Sequence, residues 1–369
     1  MFSSLLILIF IRPFISSLAF PYLNTFYTAF LIILLVVWII TNGLPLKKLQ
    51  PLKYPLILFV LSLIISTVFS ANKINSIIEL YKYLTGLLLF FIIVCMESKN
   101  KMLVIHTLVF AGLIISVSAI YQYLFGFRHV FQFLENNLTG SAFTLDYLQN
   151  QRVFFPFITP NILGGYLAMI APLALINKKN NLFIVPFCIT LFFTKSLGSF
   201  SSVVAGLLLY FLLLGKTDKR KTLSLAGLLI IIVFVFVLRT NIPKQHIQPL
   251  LSATMRINYW TDSFKIIKTH PLAGVGLGNF NLPQSRYAHN SYLQIWAETG
   301  IPGIVAFLWL MGSIVTWTRK QFLSKELSQG SRFLFISVLI FLIHNLVDFT
   351  FFLPEVSFIW WVILGLLYS

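Results

Sequence analysis

The chain has 369 residues, of which 58% are hydrophobic and only 10% are charged. Because a soluble globular domain has about 25% charged residues, water could not solvate the surface of such a chain folded as a soluble globule. The formal net charge of +17 would suit a nucleic-acid-binding protein, but the lysines and arginines are spread over short loops and form no single basic stripe. The composition therefore indicates a membrane protein and excludes nucleic acid as a partner.

Long apolar runs recur along the chain. A helix needs roughly 20 apolar residues to cross a bilayer, whereas barrel strands alternate apolar and polar residues. Runs such as 223–238 are continuously apolar, so we predict an all-α polytopic membrane protein with about 12 transmembrane helices. The predicted spans are 2–20, 22–40, 54–70, 79–96, 102–124, 158–176, 181–194, 199–214, 223–239, 290–317, 332–349 and 355–368.

Positive charge predicts the orientation of these spans. Counted from a cytoplasmic N-terminus, the even-numbered loops are short and basic. They hold Lys47, Lys48, Lys53, Lys99, Lys101, Lys178, Lys179, Lys216, Lys219, Arg220, Lys221, Arg319, Lys320, Lys325 and Arg332. Because short cytoplasmic loops are enriched in lysine and arginine, we predict that both termini are cytoplasmic. Two loops on the other side, 125–157 and 240–289, are long, which suggests that the protein works there.

The second long loop contains a helical pattern. Apolar residues at helical spacing predict a short amphipathic helix at the membrane surface; they are Ile257, Trp260, Phe264 and Ile267. Ser252 or Thr254 can cap the start of this helix, and Pro271 ends it. Arg256 would then lie in the first turn, where the helix dipole disfavours a cation, and this is a mild indication of function.

His289 stands directly before the tenth apolar run. The positive end of that helix disfavours imidazolium and attracts anions, so a neutral, base-competent histidine near a phosphorylated donor is expected. The alternative is an interfacial histidine without a role. Arg286 is either a second anion ligand or a solvated loop charge.

Other polar residues give weaker indications. Gly274, Gly276 and Gly278 predict a tight turn, not a nucleotide loop, since no strand precedes them. His344, Asn345 and Asp348 lie near the outer end of a span and are either functional or part of an interhelical hydrogen bond. No Asp-x-Asp pair occurs in the sequence, so we expect neither a metal nor another cofactor.

Four sequence blocks carry a family resemblance. They are Arg152 with Phe157-Ile-Thr-Pro160-Asn161-Ile-Leu-Gly-Gly-Tyr-Leu167; Thr194-Lys-Ser196-Leu-Gly198; Arg256, Tyr259-Trp260, Gly274, Asn279-Phe280 and His289-Asn290 through Glu298-Thr-Gly300-Ile-Pro-Gly303; and His344-Asn-Leu-Val-Asp348. This pattern, whose third block is the most specific, resembles the O-antigen ligase and polymerase family of bacterial envelope glycan transferases over roughly residues 150–350.

The resemblance implies an inverting, metal-independent glycosyltransferase with a fold similar to the GT-C type. The implied donor is a glycan on undecaprenyl pyrophosphate, and the acceptor is a hydroxyl of lipid A core or of another glycan, as in lipopolysaccharide or surface polysaccharide biosynthesis. The active site would face the periplasm from the bacterial inner membrane, among membrane lipids. The implied regions are N-terminal transmembrane helices over 1–149, a catalytic region over 150–350 that includes periplasmic loop 240–289, and a last transmembrane helix over 351–369.

The resemblance also assigns residues. Arg256 would bind the donor pyrophosphate, and His289 would be the general base or position the acceptor. Further pyrophosphate-binding candidates are Arg286, Lys195 and Arg152, and supporting residues are Asn161, Asn290, Glu298, His344 and Asp348. One position departs from the family pattern, because Leu197 stands where the family has arginine. Lys195 can supply a positive charge nearby, but as a point charge and not as a planar fork.

Three alternatives stay open at this point. The first is a polymerase of the same family. The second is a polyprenyl-linked glycan flippase or another transporter, which would need charged residues deep within several spans. The third is a scaffold without activity, because Leu197 removes one expected cation.

Overall fold

The computed structural model describes residues 1–43, 49–129, 147–148, 150–214 and 251–368. This part of the chain is α-helical and contains no strand. Its helices are α1 (Phe2–Ile11), α2 (Pro21–Asn42), α3 (Lys53–Phe69), α4 (Lys73–Cys95), α5 (Ser98–Tyr121), α6 (Pro160–Ile170), α7 (Ile184–Thr194), α8 (Leu197–Leu214), α9 (Leu251–Thr269), α10 (Ser291–Leu323), α11 (Gln329–His344) and α12 (Pro354–Tyr368).

The helices fit a membrane protein. Among the described residues, five apolar stretches are long enough to cross a bilayer, namely α2, α4, α5 with its continuation to His129, α8 and α10. Shorter apolar helices include α1, α3, α11 and α12. The all-α membrane class is therefore confirmed, whereas the number of about twelve spans stays a prediction. The predicted ninth span, 223–239, lies outside the described residues.

Helix α4 begins earlier than the apolar run suggests. The predicted span starts at residue 79, but the helix starts at Lys73. The side chain of Asn72 accepts a hydrogen bond from Asn75 N at 3.2 Å. Such an N-cap satisfies one of the free amides of the first turn, so a polar turn extends the helix beyond its apolar residues.

Contacts between distant parts of the sequence define two ends of the helix bundle. At one end, Arg12 donates hydrogen bonds to Asn24 at 2.7 Å and to Glu355 at 3.4 Å. At the opposite end of α12, the hydroxyl of Tyr368 donates to Gln50 O. We call the first the outer end, because the described basic loops connect helices at the other end, as the positive-inside rule predicts for cytoplasmic loops.

Helix α10 is two helical segments joined by a break. Gly300 has φ 68° and ψ −170°, so the helix is interrupted inside the bundle. The loop after α9 supplies partners at the break: Ile301 N donates to Pro271 O at 2.8 Å, and Val275 N donates to Ala297 O at 2.9 Å. Because free backbone groups are costly in apolar surroundings, this loop makes the break possible.

The glycines of the same loop form the predicted tight turn. Gly274, Gly276 and Gly278 all have positive φ, at 70°, 97° and 66°. A Cβ on Gly276 would lie only 2.4 Å from the Cβ of Ser70. The side chain of Asn279 donates to Ser70 Oγ at 2.7 Å. The turn is therefore packed tightly against the junction of α3 and α4.

Replacing Gly300 by alanine is expected to destabilise the protein strongly. Its backbone region is essentially restricted to glycine and costs other residues about 1–3 kcal/mol. The new Cβ would also lie 2.1 Å from Leu272 O. Thermal unfolding of the purified protein should show a lower Tm for this variant. Gly312→Ala is the matched control on α10, because a Cβ there meets nothing within 4 Å, and an equal Tm loss in both variants would contradict the prediction.

Candidate functional site

Helix α9 packs against the first segment of α10 with part of the predicted apolar face. Trp260 and Ile267 lie in the packed cluster that includes Tyr259. Ile257 and Phe264 are 59% and 44% exposed, and the Phe264 ring meets Trp296 of α10 edge-on, with 6.2 Å between centroids. The sequence pattern did not include Tyr259 because it counted apolar residues only and not an amphipathic tyrosine. That the apolar face lies at the membrane surface stays a prediction.

The predicted start of this helix was wrong. The chain is helical from Leu251 onward, so Ser252 and Thr254 lie within the helix and not before its first residue. Arg256 is therefore beyond the first turn, and the argument from the helix dipole does not apply to it. Alanine and methionine, which flank Thr254, favour helix and outweigh the turn preference of serine and threonine.

His289 lies where α9, α10 and the end of α11 meet. Its ring stacks on Tyr259 with 5.4 Å between centroids and meets the edge of Phe349 at 4.7 Å. The next residue, Asn290, caps α10 by accepting hydrogen bonds from Tyr292 N and Leu293 N at 3.0 and 3.1 Å. The predicted place of His289, at the positive end of this helix, is thus observed.

The electrostatic surroundings favour a neutral His289. Burial lowers the pKa of its imidazole, the nearby carboxylate of Asp348 raises it, and the positive charge of Arg256 lowers it again, with a net decrease. At neutral pH the ring therefore has a free lone pair that can accept a proton. Arg256 also acts through space on His344. We call Arg256, His289, His344 and Asp348 the outer cluster.

His344 is the most enclosed member of the outer cluster. Its Nε2 lies 3.5 Å from Asp348 Oδ2. A Cβ on Gly165 of α6 would lie 2.3 Å from the same Nε2, and a Cβ on Gly198 of α8 would lie 3.8 Å from the ring. The absence of a side chain at Gly165 allows α6 to approach the imidazole this closely, whereas the distance from Gly198 is an ordinary van der Waals contact. The first, second and fourth sequence blocks thus meet at His344.

Ser291 joins the third and fourth sequence blocks and was missed by the sequence reasoning. Its hydroxyl donates to Asn345 Oδ1 at 2.7 Å, and its backbone N donates to Asn345 O at 2.9 Å. This contact fixes the start of α10 against the end of α11. A serine directly after the His-Asn pair was the only signal in the sequence, and serine at a helix start is too common to indicate a partner 54 residues away.

Three other candidates form a second group at the outer end. Arg152 donates to Thr194 O and to Asn161 Oδ1, both at 3.0 Å. Lys195 donates to Asn150 O at 2.7 Å, and burial together with the charge of Arg152 lowers its pKa. Asn161 lies four residues before Gly165 on α6, which is about 6 Å along the helix axis. The second group is therefore a neighbour of the outer cluster.

The remaining candidates and Leu197 have other surroundings. Arg286 is exposed, and its guanidinium is 6.0 Å from the ring of Tyr287. Glu298 is buried, two turns further along α10 than Asn290. Leu197, which stands in place of the family arginine, begins α8 and is half-buried.

Replacing Asp348 by asparagine is expected to shift the pH dependence of the site. Because the carboxylate raises the pKa of His289, its loss lowers that pKa further. Protonation of His289 then needs a lower pH, so the acidic limb of the pH–rate profile should move to lower pH, with a lower rate at its plateau. Asp262→Asn on the surface of α9, where Asp262 pairs with Lys265 at 2.7 Å, is the control. An acidic limb that stays in place or moves to higher pH would contradict the prediction.

Comparison with known proteins identifies part of this region. Residues 182–308 match the family model described as O-antigen ligase, which is about a third of the chain. The matched stretch includes Arg256, His289 and the first segment of α10. No curated protein matches the chain. With the apolar helices, the match supports a multi-pass membrane protein with a role in glycan transfer. The resemblance to the O-antigen ligase family that the sequence blocks indicated is thereby confirmed.

Proposed function

We propose that the protein is an inverting glycosyltransferase that moves a glycan from undecaprenyl pyrophosphate to an acceptor hydroxyl. The observation that carries this proposal is the outer cluster, in which a cation, a neutral imidazole and a carboxylate lie together at one end of an apolar helix bundle. The family match supports the substrate class. The proposed location is the periplasmic face of the bacterial inner membrane, with a fold similar to the GT-C type and a catalytic region over 150–350.

His289 is the proposed general base. Its neutral ring takes the proton from the acceptor hydroxyl while the acceptor oxygen attacks the anomeric carbon. The bond from that carbon to the pyrophosphate oxygen breaks on the opposite face of the sugar, which inverts the configuration. Asp348 stabilises the imidazolium that forms, as the carboxylate of a catalytic triad does. General base catalysis of this kind contributes about 10²–10⁴-fold.

Arg256 is the proposed ligand of the pyrophosphate. This leaving group departs as an anion, so it needs positive charge more than it needs a proton. One cation at 4 Å is worth about 4 kcal/mol at an effective dielectric constant near 20. A guanidinium also fits two phosphate oxygens at once. In this proposal such side chains supply the charge that a metal supplies in other transferases.

The second group contributes to the field around the donor. Arg152 and Lys195 are both held by backbone carbonyls, so their charges have fixed positions beside the outer cluster. We assign them a through-space role and not direct contact with a phosphate. Lys195 thereby replaces part of the charge lost at Leu197, without the geometry of an arginine.

Reconstitution in liposomes tests the proposal. Purified protein is given lipid-linked repeat units with and without lipid A core, and the His289→Ala protein is the blank. Glycan attached to core indicates a ligase, and chains that grow without core indicate a polymerase. Movement of the donor across the bilayer without transfer would indicate a flippase. If the protein neither transfers glycan nor moves the donor, the result indicates a scaffold. A flippase result or a scaffold result would overturn the proposed transferase.

A further inference from the structure

The backbone of His289 is in an unusual conformation. Its φ is 50°, in the left-handed region that residues with a Cβ seldom adopt. A histidine there keeps its conformation only if the surroundings hold it. Asn290 does not provide this hold, because its side chain is used for the amides of Tyr292 and Leu293. Tyr259 and Phe349 hold the ring, and a hydrogen bond from a further residue restrains the backbone.

Gln294 supplies that restraint on the histidine loop. Its Oε1 accepts a hydrogen bond from Ala288 N at 3.2 Å, which is the amide directly before His289. Ala288 and Gln294 are both buried, so this bond does not compete with water. The bond closes a turn around His289 and fixes the direction in which its ring leaves the backbone.

Glu298 in turn fixes the amide of Gln294. Glu298 Oε1 accepts from Gln294 Nε2 at 3.0 Å, and the two side chains are only 1% and 3% exposed. They are four residues apart, so they lie on the same face of the α10 segment. Because the backbone N–H of Ala288 only donates, Gln294 presents its Oε1 to Ala288 and its Nε2 to Glu298. By accepting from Nε2, Glu298 holds the amide in this orientation.

We propose that Glu298 and Gln294 are positioning residues for His289, which they orient through Ala288. This inference rests on the proposed function, since it gives His289 the role of base. Neither residue is needed for the backbone hydrogen bonds of α10 itself. Misplacement of a catalytic group by about 1 Å can cost 10²-fold in rate, so the pair is expected to act on kcat.

A reciprocal exchange of the two side chains tests this positioning role. In Gln294→Glu, two carboxyl groups face each other and the amide donor to Glu298 is lost, so kcat should fall by about 10–10² with an unchanged KM for the donor lipid. In the double variant Gln294→Glu with Glu298→Gln, the amide introduced at position 298 can donate to the carboxylate introduced at position 294, whose other oxygen still accepts from Ala288 N. The double variant should recover most of the lost kcat. Gln284→Glu, an exposed position in the same loop, is the control.

Two results would overturn the positioning role. One is full kcat in Gln294→Glu; the other is a double variant that is no faster than Gln294→Glu although its Tm equals that of the wild type. If Gln294→Glu does not fold, Glu298→Leu is compared with Glu298→Gln. Only the glutamine at position 298 can still accept the hydrogen bond from Gln294 Nε2. Equal kcat values in these two variants would overturn the positioning role. Failure of the proposed function looks different, since the His289→Ala protein would then transfer glycan at the wild-type rate.

Discussion

Replacing His289 by alanine is expected to lower the rate of glycan transfer by about 10²–10⁴-fold, the usual contribution of a general base. His344, the other histidine of the outer cluster, cannot substitute for His289, because its ring is enclosed by α6 and α8. The measurement is transfer from a lipid-linked donor by purified protein, with membrane insertion followed separately.

Two further variants separate the chemistry of His289 from its packing. His289→Phe keeps a ring between Tyr259 and Phe349 but has no base, so it should be as inactive as the alanine variant and closer to the wild type in Tm. His270→Ala removes an exposed histidine at the end of α9 and should leave transfer unchanged. Transfer at the wild-type rate by His289→Ala would remove His289 from the mechanism.

Replacing Arg256 by alanine is expected to reduce kcat/KM by about 10³-fold, which corresponds to the roughly 4 kcal/mol of one cation–phosphate contact at 4 Å. Because the pyrophosphate is charged before and after the bond breaks, both the donor KM and kcat should change. Arg256→Lys should recover only part of the loss, since an ammonium group cannot bind two phosphate oxygens in one plane. Steady-state kinetics over a series of donor concentrations measures both quantities.

The matched control for Arg256 lies on the same helix. Lys268 is an exposed cation in the last turn of α9, and Lys268→Ala removes an equal charge far from the outer cluster. An effect of Lys268→Ala as large as that of Arg256→Ala would mean that α9 attracts the donor by its overall charge. The specific role of Arg256 would then be wrong.

The sequence predicted the helices well because apolar runs need no knowledge of their partners. The predicted spans at 22–40, 199–214 and 355–368 lie within two residues of α2, α8 and α12 at either end. The predicted boundary was wrong where a capping side chain sets the start of a helix, as Asn72 does for α4. The prediction that Arg256 lies in the first turn of α9 was also wrong, because the helical residues before Arg256 are not apolar enough to reveal the helix from the sequence.

The candidate residues could be named from the sequence, but their arrangement could not. His289 and Asp348 were both candidates, yet nothing in their spacing of 59 residues predicts that the carboxylate acts on the imidazole. That proximity depends on how α10 packs against α11, through Ser291 and Asn345. Gln294 was missed because a glutamine in a helix has no distinctive pattern, and its role follows only from the strained backbone that it restrains.

We expect the break at Gly300 to weaken the mechanical link between His289 and the lipid bilayer. A membrane that is too thin or too thick for a helix makes that helix tilt. In α10, tilting of the lower segment can be absorbed at Gly300, while the segment above it is fastened to α3 by the bond from Ser66 Oγ to Glu298 O at 2.6 Å. We therefore expect the geometry around His289 to be insensitive to acyl-chain length. Such insensitivity would let the outer cluster keep its shape in membranes of different thickness.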